Sequence, residues 1–161
     1  MTIEVGDALP QTRFRTMTSD GPIEIGNDFF SGKTVALFAV PGAFTPTCSA
    51  RHLPGYVDKA SQLKASGIDV IACTAVNDVF VLDAWAKANR ANDITMLADG
   101  TGAFAESIGL AMDGAKFGMG LRSRRYAMLV DDGIVRQLHV EAPGEFGVSS
   151  AEHLLGALSA K

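Results

Sequence analysis

The stretch Thr34-Val35-Ala36-Leu37-Phe38-Ala39-Val40-Pro41-Gly42-Ala43-Phe44-Thr45-Pro46-Thr47-Cys48-Ser49-Ala50-Arg51-His52 decides the fold. Its first seven residues are apolar almost throughout and are bounded by Gly32-Lys33 and Pro41-Gly42, the pattern of a short buried strand. Leu53, Tyr56, Ala60 and Leu63 then recur at helical spacing until Gly67 closes the segment. Ile68 to Val76 is a second nearly continuous apolar strand. The unit therefore reads as strand, loop, helix, strand, with its first two strands parallel.

Outward from that unit the pattern continues. Asn77 or Asp78 is suited to cap a helix whose Val81, Ala84, Trp85 and Ala88 fall at i, i+3, i+4 and i+7. A short strand is expected around Ile94 to Leu97 and a small helix over Gly102 to Ile108. Tyr126 to Val130 and Ile134 to Val140 flank Asp131-Asp132-Gly133, a strong hairpin signal. Ser149 and Glu152 fit a capping box for a last helix that turns Ala151, Leu154, Leu155 and Leu158 inward. The fold class is α/β, a central mixed sheet flanked by helices.

The chain has 161 residues, 47% hydrophobic and 20% charged, which suits one globular domain over residues 1–161. The formal charge of −4 is scattered along the chain, so no basic footprint for nucleic acid or an anionic membrane is expected. No apolar run approaches the ~20 residues that span a bilayer. The start, Met1 to Asp7, lacks the basic and then apolar regions of a secretory signal, so a cytoplasmic location is expected. Two cysteines, Cys48 and Cys73, are too few for a disulfide-stapled secreted domain.

The chemistry points to Cys48. Pro46 suits the first helical position and Thr45 before it is a good N-cap, so Cys48 falls in the first turn. Free backbone N–H groups and the positive end of the helix dipole stabilise a thiolate over a thiol there. A disulfide oxidoreductase would want Cys-x-x-Cys, yet Ser49, Ala50 and Arg51 follow Cys48. A cysteine phosphatase wants an arginine about six residues on, where Pro54 stands after Cys48 and Val79 after Cys73. Cys48, Cys73, His52, His139 and His153 have no recognisable zinc spacing, and no metal or organic cofactor is expected.

Pro41-x-x-x-Thr45-x-x-Cys48 resembles the peroxiredoxin active-site signature. The longer Pro-Gly-Ala-Phe-Thr-Pro-Thr-Cys-Ser-x-x-His-Leu-Pro-Gly-Tyr string from Pro41 to Tyr56 is more specific. The likeness extends to Val76-Asn77-Asp78-Val79-Phe80, Ala84-Trp85-Ala86 and Arg124-Arg125-Tyr126-Ala127-Met128. It is nearest to the plant type II peroxiredoxins and the bacterial forms fused to glutaredoxin. The resemblance implies a thioredoxin-like fold, with which the order of elements is compatible.

It also implies a thiol-dependent peroxidase reducing hydrogen peroxide and alkyl hydroperoxides. Cys48 would become a sulfenic acid, Thr45 would hydrogen-bond the peroxide, and Pro41 would shield the thiolate. Arg125, favoured over Arg124 and Arg122 by alignment with the following strand, would stabilise thiolate and peroxide oxygens. Gly42, Phe44, Thr47 and His52 are expected to line the substrate pocket. Spacing alone leaves His52 as either a base or a structural side chain, since Pro54 makes the local helix irregular.

Arg122 and Arg124 read as an exposed basic cluster, and Cys73, inside an apolar strand, as buried and inert. No cysteine occurs in the C-terminal region, so a one-cysteine cycle is expected, with an external thiol regenerating Cys48. Glutathione with glutaredoxin is favoured over thioredoxin. The likeness further implies a homodimer, with Gly114 to Gly120 as a pocket rim and dimer contact. The competing reading is a redox sensor or holdase in which Cys48 oxidises without turnover.

Overall fold

The structure, a computed structural model, describes residues 2–159; Met1, at the head of the segment read for a secretory signal, lies outside them. The first hairpin joins β1 (Phe14–Thr18) to β2 (Gly21–Ile25). Then come β3 (Thr34–Ala39), α1 (Leu53–Ala65), β4 (Val70–Ala75), α2 (Val79–Ala88), β5 (Ile94–Ala98) and α3 (Ala103–Ser107). A two-stranded ribbon, β6 (Ala111–Asp113) with β7 (Leu121–Ser123), precedes β8 (Tyr126–Asp131), β9 (Ile134–Val140) and α4 (Ala151–Ser159).

The main sheet has seven strands in the order β2-β1-β5-β4-β3-β8-β9. β3, β4 and β5 are parallel; every other neighbouring pair is antiparallel. The expected mixed sheet is present. Alternation along each strand splits the core in two. Phe38, Cys73 and Ala127 pack with α1, α2 and α4 on one face. Leu37, Ala72, Leu97 and Tyr126 pack with Phe104 of α3, Phe14 and Ile3 on the other.

One register positions the chemistry. Ala39 of β3 pairs with Tyr126 of β8, antiparallel, so the chain leaving β3 at Pro41 emerges beside Arg125 as it enters β8. The hairpin after β8 turns at Asp132 and Gly133, both with positive φ (49° and 80°), the requirement of a two-residue type I′ turn.

Two expectations about helix faces and caps are corrected. On α2 the buried side chains are Val79, Leu82 and Trp85, while Ala84 and Ala88 are exposed. The apolar face is broad, and the larger Val79 and Leu82 remove more surface from water than two alanines. Asp78 caps this helix as expected, accepting from Val81 N–H at 2.9 Å. On α4 the cap is Ser150, whose Oγ accepts from His153 N–H at 3.1 Å. Ser149 instead faces Glu141, whose Oε2 accepts from both its N–H and its hydroxyl.

Candidate active site

The chain turns helical at Pro46, and its first turn-closing bond runs from Ser49 N–H to Thr45 O at 2.9 Å. Cys48 thus sits at the positive end of the helix, where amide groups lack partners in earlier turns. From Cys48 to His52 the backbone is π-helical, with Leu53 N–H reaching Cys48 O, before α1 continues. Pro54 supplies a local cause: its ring crowds the carbonyl four residues earlier and it donates no N–H. Thr45 precedes the helix, but its side chain does not cap it. Its hydroxyl donates to Gly42 O at 2.6 Å.

The loop before the helix is held from several sides. Ala43 N–H donates to Asn77 Oδ1 at 2.9 Å, and Trp85 Nε1 donates to Ser49 Oγ at 2.9 Å. A Cβ on Gly42 would lie 3.2 Å from Thr45 Cγ2 and 3.3 Å from both Arg122 Nη1 and Met119 Cε, so the close approach itself favours glycine. Phe44 has φ 65°, a left-handed conformation uncommon for an aromatic residue, and the residue is 57% exposed.

Cys48 is fully buried, and Arg125 Nη2 donates to its Sγ at 3.1 Å. The second arm of the guanidinium, Nη1, lies 2.9 Å from His52 Nδ1. An arginine has no acceptor, so Nδ1 must be the unprotonated nitrogen. Nε2 then carries the proton and donates to Ser149 O, 3.0 Å away. Burial, helped by the Arg125 charge, pulls the His52 pKa from 6.5 to about 3, so the ring is neutral. His52 is therefore buried behind Arg125 rather than on a substrate-facing wall. Its ring packs at 4.9 Å from Phe38 and 5.6 Å from Tyr56.

A cavity of about 430 Å³ lies beside this arrangement and reaches it at Arg125; neither Cys48 nor His52 lines it. Pro41, Thr47 and Arg125 line it, with Phe117, Arg124 and Glu141 as further walls. Gly42, Phe44 and Thr45 are not among its walls; they form the loop beside it. The Gly114 to Gly120 segment links the ribbon strands and brings Phe117 to the rim.

Arg122 and Arg124 are not a solvated cluster. Arg122 donates to Val76 O and Met119 O, and Arg124 to Glu141 O, each satisfying a carbonyl that would otherwise lose water on folding. Cys73 is fully buried on β4, and burial, reinforced by Cys48, pushes its thiol pKa well up. Among the described residues no three of His, Cys, Asp and Glu gather as metal ligands would.

Glu141, Ser149 and Tyr56 belong to the site and were not singled out from sequence for it. Glu141 follows β9, and its Oε2 accepts from Gly147 N–H, Ser149 N–H and Ser149 Oγ at 2.6, 2.8 and 2.6 Å. Tyr56 OH donates to the same Ser149 carbonyl that His52 uses, at 2.9 Å.

Residues 4–155 match the Redoxin family. Over 98% of its length the chain is 48% identical to "Peroxiredoxin-2E, chloroplastic" of Arabidopsis thaliana, covering 70% of that protein. The chain belongs to the peroxiredoxin family. As a peroxiredoxin it is a thiol peroxidase. It is also 40% identical to "Hybrid peroxiredoxin hyPrx5" of Haemophilus influenzae, over 96% of this chain and 66% of that one. This peroxiredoxin superposes on reduced Prx3 of Vibrio vulnificus, solved in complex with hydrogen peroxide, with a TM-score of 0.95 and 52% identity. That match covers 98% of this chain and 99% of the other, and it establishes the thioredoxin-like fold.

Proposed function

We propose that Cys48 is the peroxidatic nucleophile and that Arg125 holds its sulfur as the thiolate and steadies the peroxide oxygens as charge moves. The observation that carries this reading is the 3.1 Å contact between Arg125 Nη2 and Cys48 Sγ at the start of a helix. The thiolate attacks one peroxide oxygen, the S–O bond forms as the O–O bond breaks, and the departing alkoxide or hydroxide takes a proton. The products are a Cys48 sulfenic acid and water or an alcohol. Preorganised donors aimed at the developing charge are the main source of acceleration in such a step.

Thr45 contributes as an acceptor. Its only hydroxyl proton is committed to Gly42 O, leaving lone pairs for the peroxide O–H. Pro41 on the cavity wall excludes water from the sulfur, and Thr47 borders the same space. The loop of Gly42 and Phe44 borders the peroxide pocket without lining the cavity.

Regeneration is assigned to an external thiol. It attacks the sulfenic sulfur, expels water and leaves a mixed disulfide, which a second thiol resolves. Cys73, buried and held protonated, takes no part in this one-cysteine cycle. Glutathione with glutaredoxin is favoured over thioredoxin; the likeness to the hybrid Haemophilus protein supports this choice. A homodimer is assigned on the exposed Phe44 and Phe117 beside the cavity, apolar rings that a second copy would cover. A cytoplasmic location is assigned, a compartment in which such thiols are kept reduced.

The test is peroxide consumption with excess glutathione and glutaredoxin, run in parallel with thioredoxin and its reductase. Steady turnover, faster with glutathione and glutaredoxin, is expected. A single stoichiometric oxidation with either system would point to a sensor instead.

A further inference from the structure

We propose that Glu141 is a positioning residue for the peroxidase reaction, holding the Arg125 guanidinium on Cys48 through Ser149 and His52. The inference rests on the reading that Arg125 activates Cys48.

One carboxylate oxygen, Glu141 Oε2, gathers three donors from the segment between β9 and α4: Gly147 N–H, Ser149 N–H and the Ser149 hydroxyl. That segment has no strand or helix of its own to fix it and contains Pro143, Gly144 and Gly147. The three bonds fix the Ser149 peptide so that its carbonyl accepts from both His52 Nε2–H and Tyr56 OH. With Nε2 so committed, His52 presents a lone pair at Nδ1 to Arg125 Nη1, and the other arm of Arg125 falls on the sulfur. The segment also brings Phe146 against His52, ring centroids 5.1 Å apart, and 5.9 Å from the Arg125 guanidinium carbon.

Glu141 is itself buried, and among the described residues no lysine, arginine or histidine forms an ion pair with it. Burial pushes its pKa up, but the hydrogen bonds from Gly147 and Ser149 outweigh that, and the net direction is down. A buried carboxylate without a cation is a costly anchor for a surface loop. Charge-assisted bonds of this length are also strong and directional, which suits a group that must hold a peptide in one orientation. The main chain adds a short cross-tie: Glu141 N–H donates to Arg125 O at 3.0 Å, and Arg124 donates to Glu141 O.

The test is single-turnover oxidation of Cys48 by hydrogen peroxide, followed by Trp85 fluorescence, in E141Q, H52L, the double variant and R125A. The isosteric amide weakens all three bonds at once. E141Q is expected to slow oxidation about tenfold or more, the scale on which small misplacements act, while E141Q added to H52L costs little further. The result that overturns the proposal is a wild-type rate in E141Q, or an equal loss in both backgrounds, which marks a merely structural anchor. If E141Q does not fold, S149A removes one bond and leaves the carbonyl. Its loss must again vanish in the H52L background, and persistence there overturns the proposal. R125A separates the two layers: a fast R125A removes the underlying reading, whereas a slow R125A with a fast E141Q removes the positioning role alone.

Discussion

At Cys48 the sulfur is sealed from solvent, and the group that faces it is a guanidinium that is always charged. Two arms of one planar fork divide the work, Nη2 on the sulfur and Nη1 on His52. Replacing Arg125 by alanine removes both, and the second-order rate constant for hydrogen peroxide is expected to fall by about 100-fold or more, the usual cost of deleting an aimed donor. Lysine at this position keeps the charge but loses the fork, and should recover only part of the rate. Stopped-flow oxidation measures both, and an alanine variant as fast as wild type would move the role elsewhere. Cys48, Thr45 and Pro41 stand inside one local string, whereas spacing alone did not separate Arg125 from Arg122 and Arg124. His52's position behind the arginine was not legible. Its partners, Ser149 and Arg125, lie 97 and 73 residues away along the chain, and no periodicity links them.

At the scale of elements, the strands and helices from Thr34 to Ser159 follow from local pattern apart from the ribbon strands, and each miss has an identifiable cause. β1 and β2 were passed over although Phe14-Arg15-Thr16-Met17-Thr18 alternates and Asp20-Gly21 follows, because Pro22 and the exposed Ile23 and Glu24 give β2 no buried face to read. The ribbon strands β6 and β7 have three residues each, too few to carry a period. The cap of α4 moved one residue because a distant carboxylate took Ser149. α2 carries the second half of the site's scaffold, since Trp85 holds Ser49. Its cap was foreseen, so D78A is expected to destabilise the protein by about 1 kcal/mol, the usual cost of losing an N-cap. Urea unfolding measures it, with peroxide reactivity unchanged. A neutral D78A would mean that the 2.9 Å bond to Val81 contributes nothing.

Across the whole molecule, two buried groups couple stability to acidity with the same sign. His52 has a pKa lowered to about 3 by burial and by Arg125, so the folded state takes up its proton later than the unfolded chain does. Its neutral form costs nothing above its ordinary value of 6.5, and stability drains away as the pH falls from there toward 3. Glu141, with a net lowered pKa, adds stability that is present above the ordinary carboxylate range and is lost as the pH drops through its folded value. Together they predict acid lability, with a slope of up to about 1.4 kcal/mol per pH unit for each group while it titrates. Unfolding free energies measured from pH 7 downward should show that slope, and a histidine-free side chain at position 52 should flatten it between 6.5 and 3. An unchanged slope would place the lability in other groups.

The most direct measurement exposes the reduced protein at neutral pH to one equivalent of hydrogen peroxide in the presence of a 1,3-dione that traps sulfenic acids, and then maps the adduct by mass spectrometry. A Cys48 sulfur paired with Arg125 at the head of the helix, with Cys73 buried in the sheet, predicts one adduct per chain, on Cys48 alone. A label on Cys73, or a Cys48 left as the free thiol with the peroxide unspent, would contradict the account.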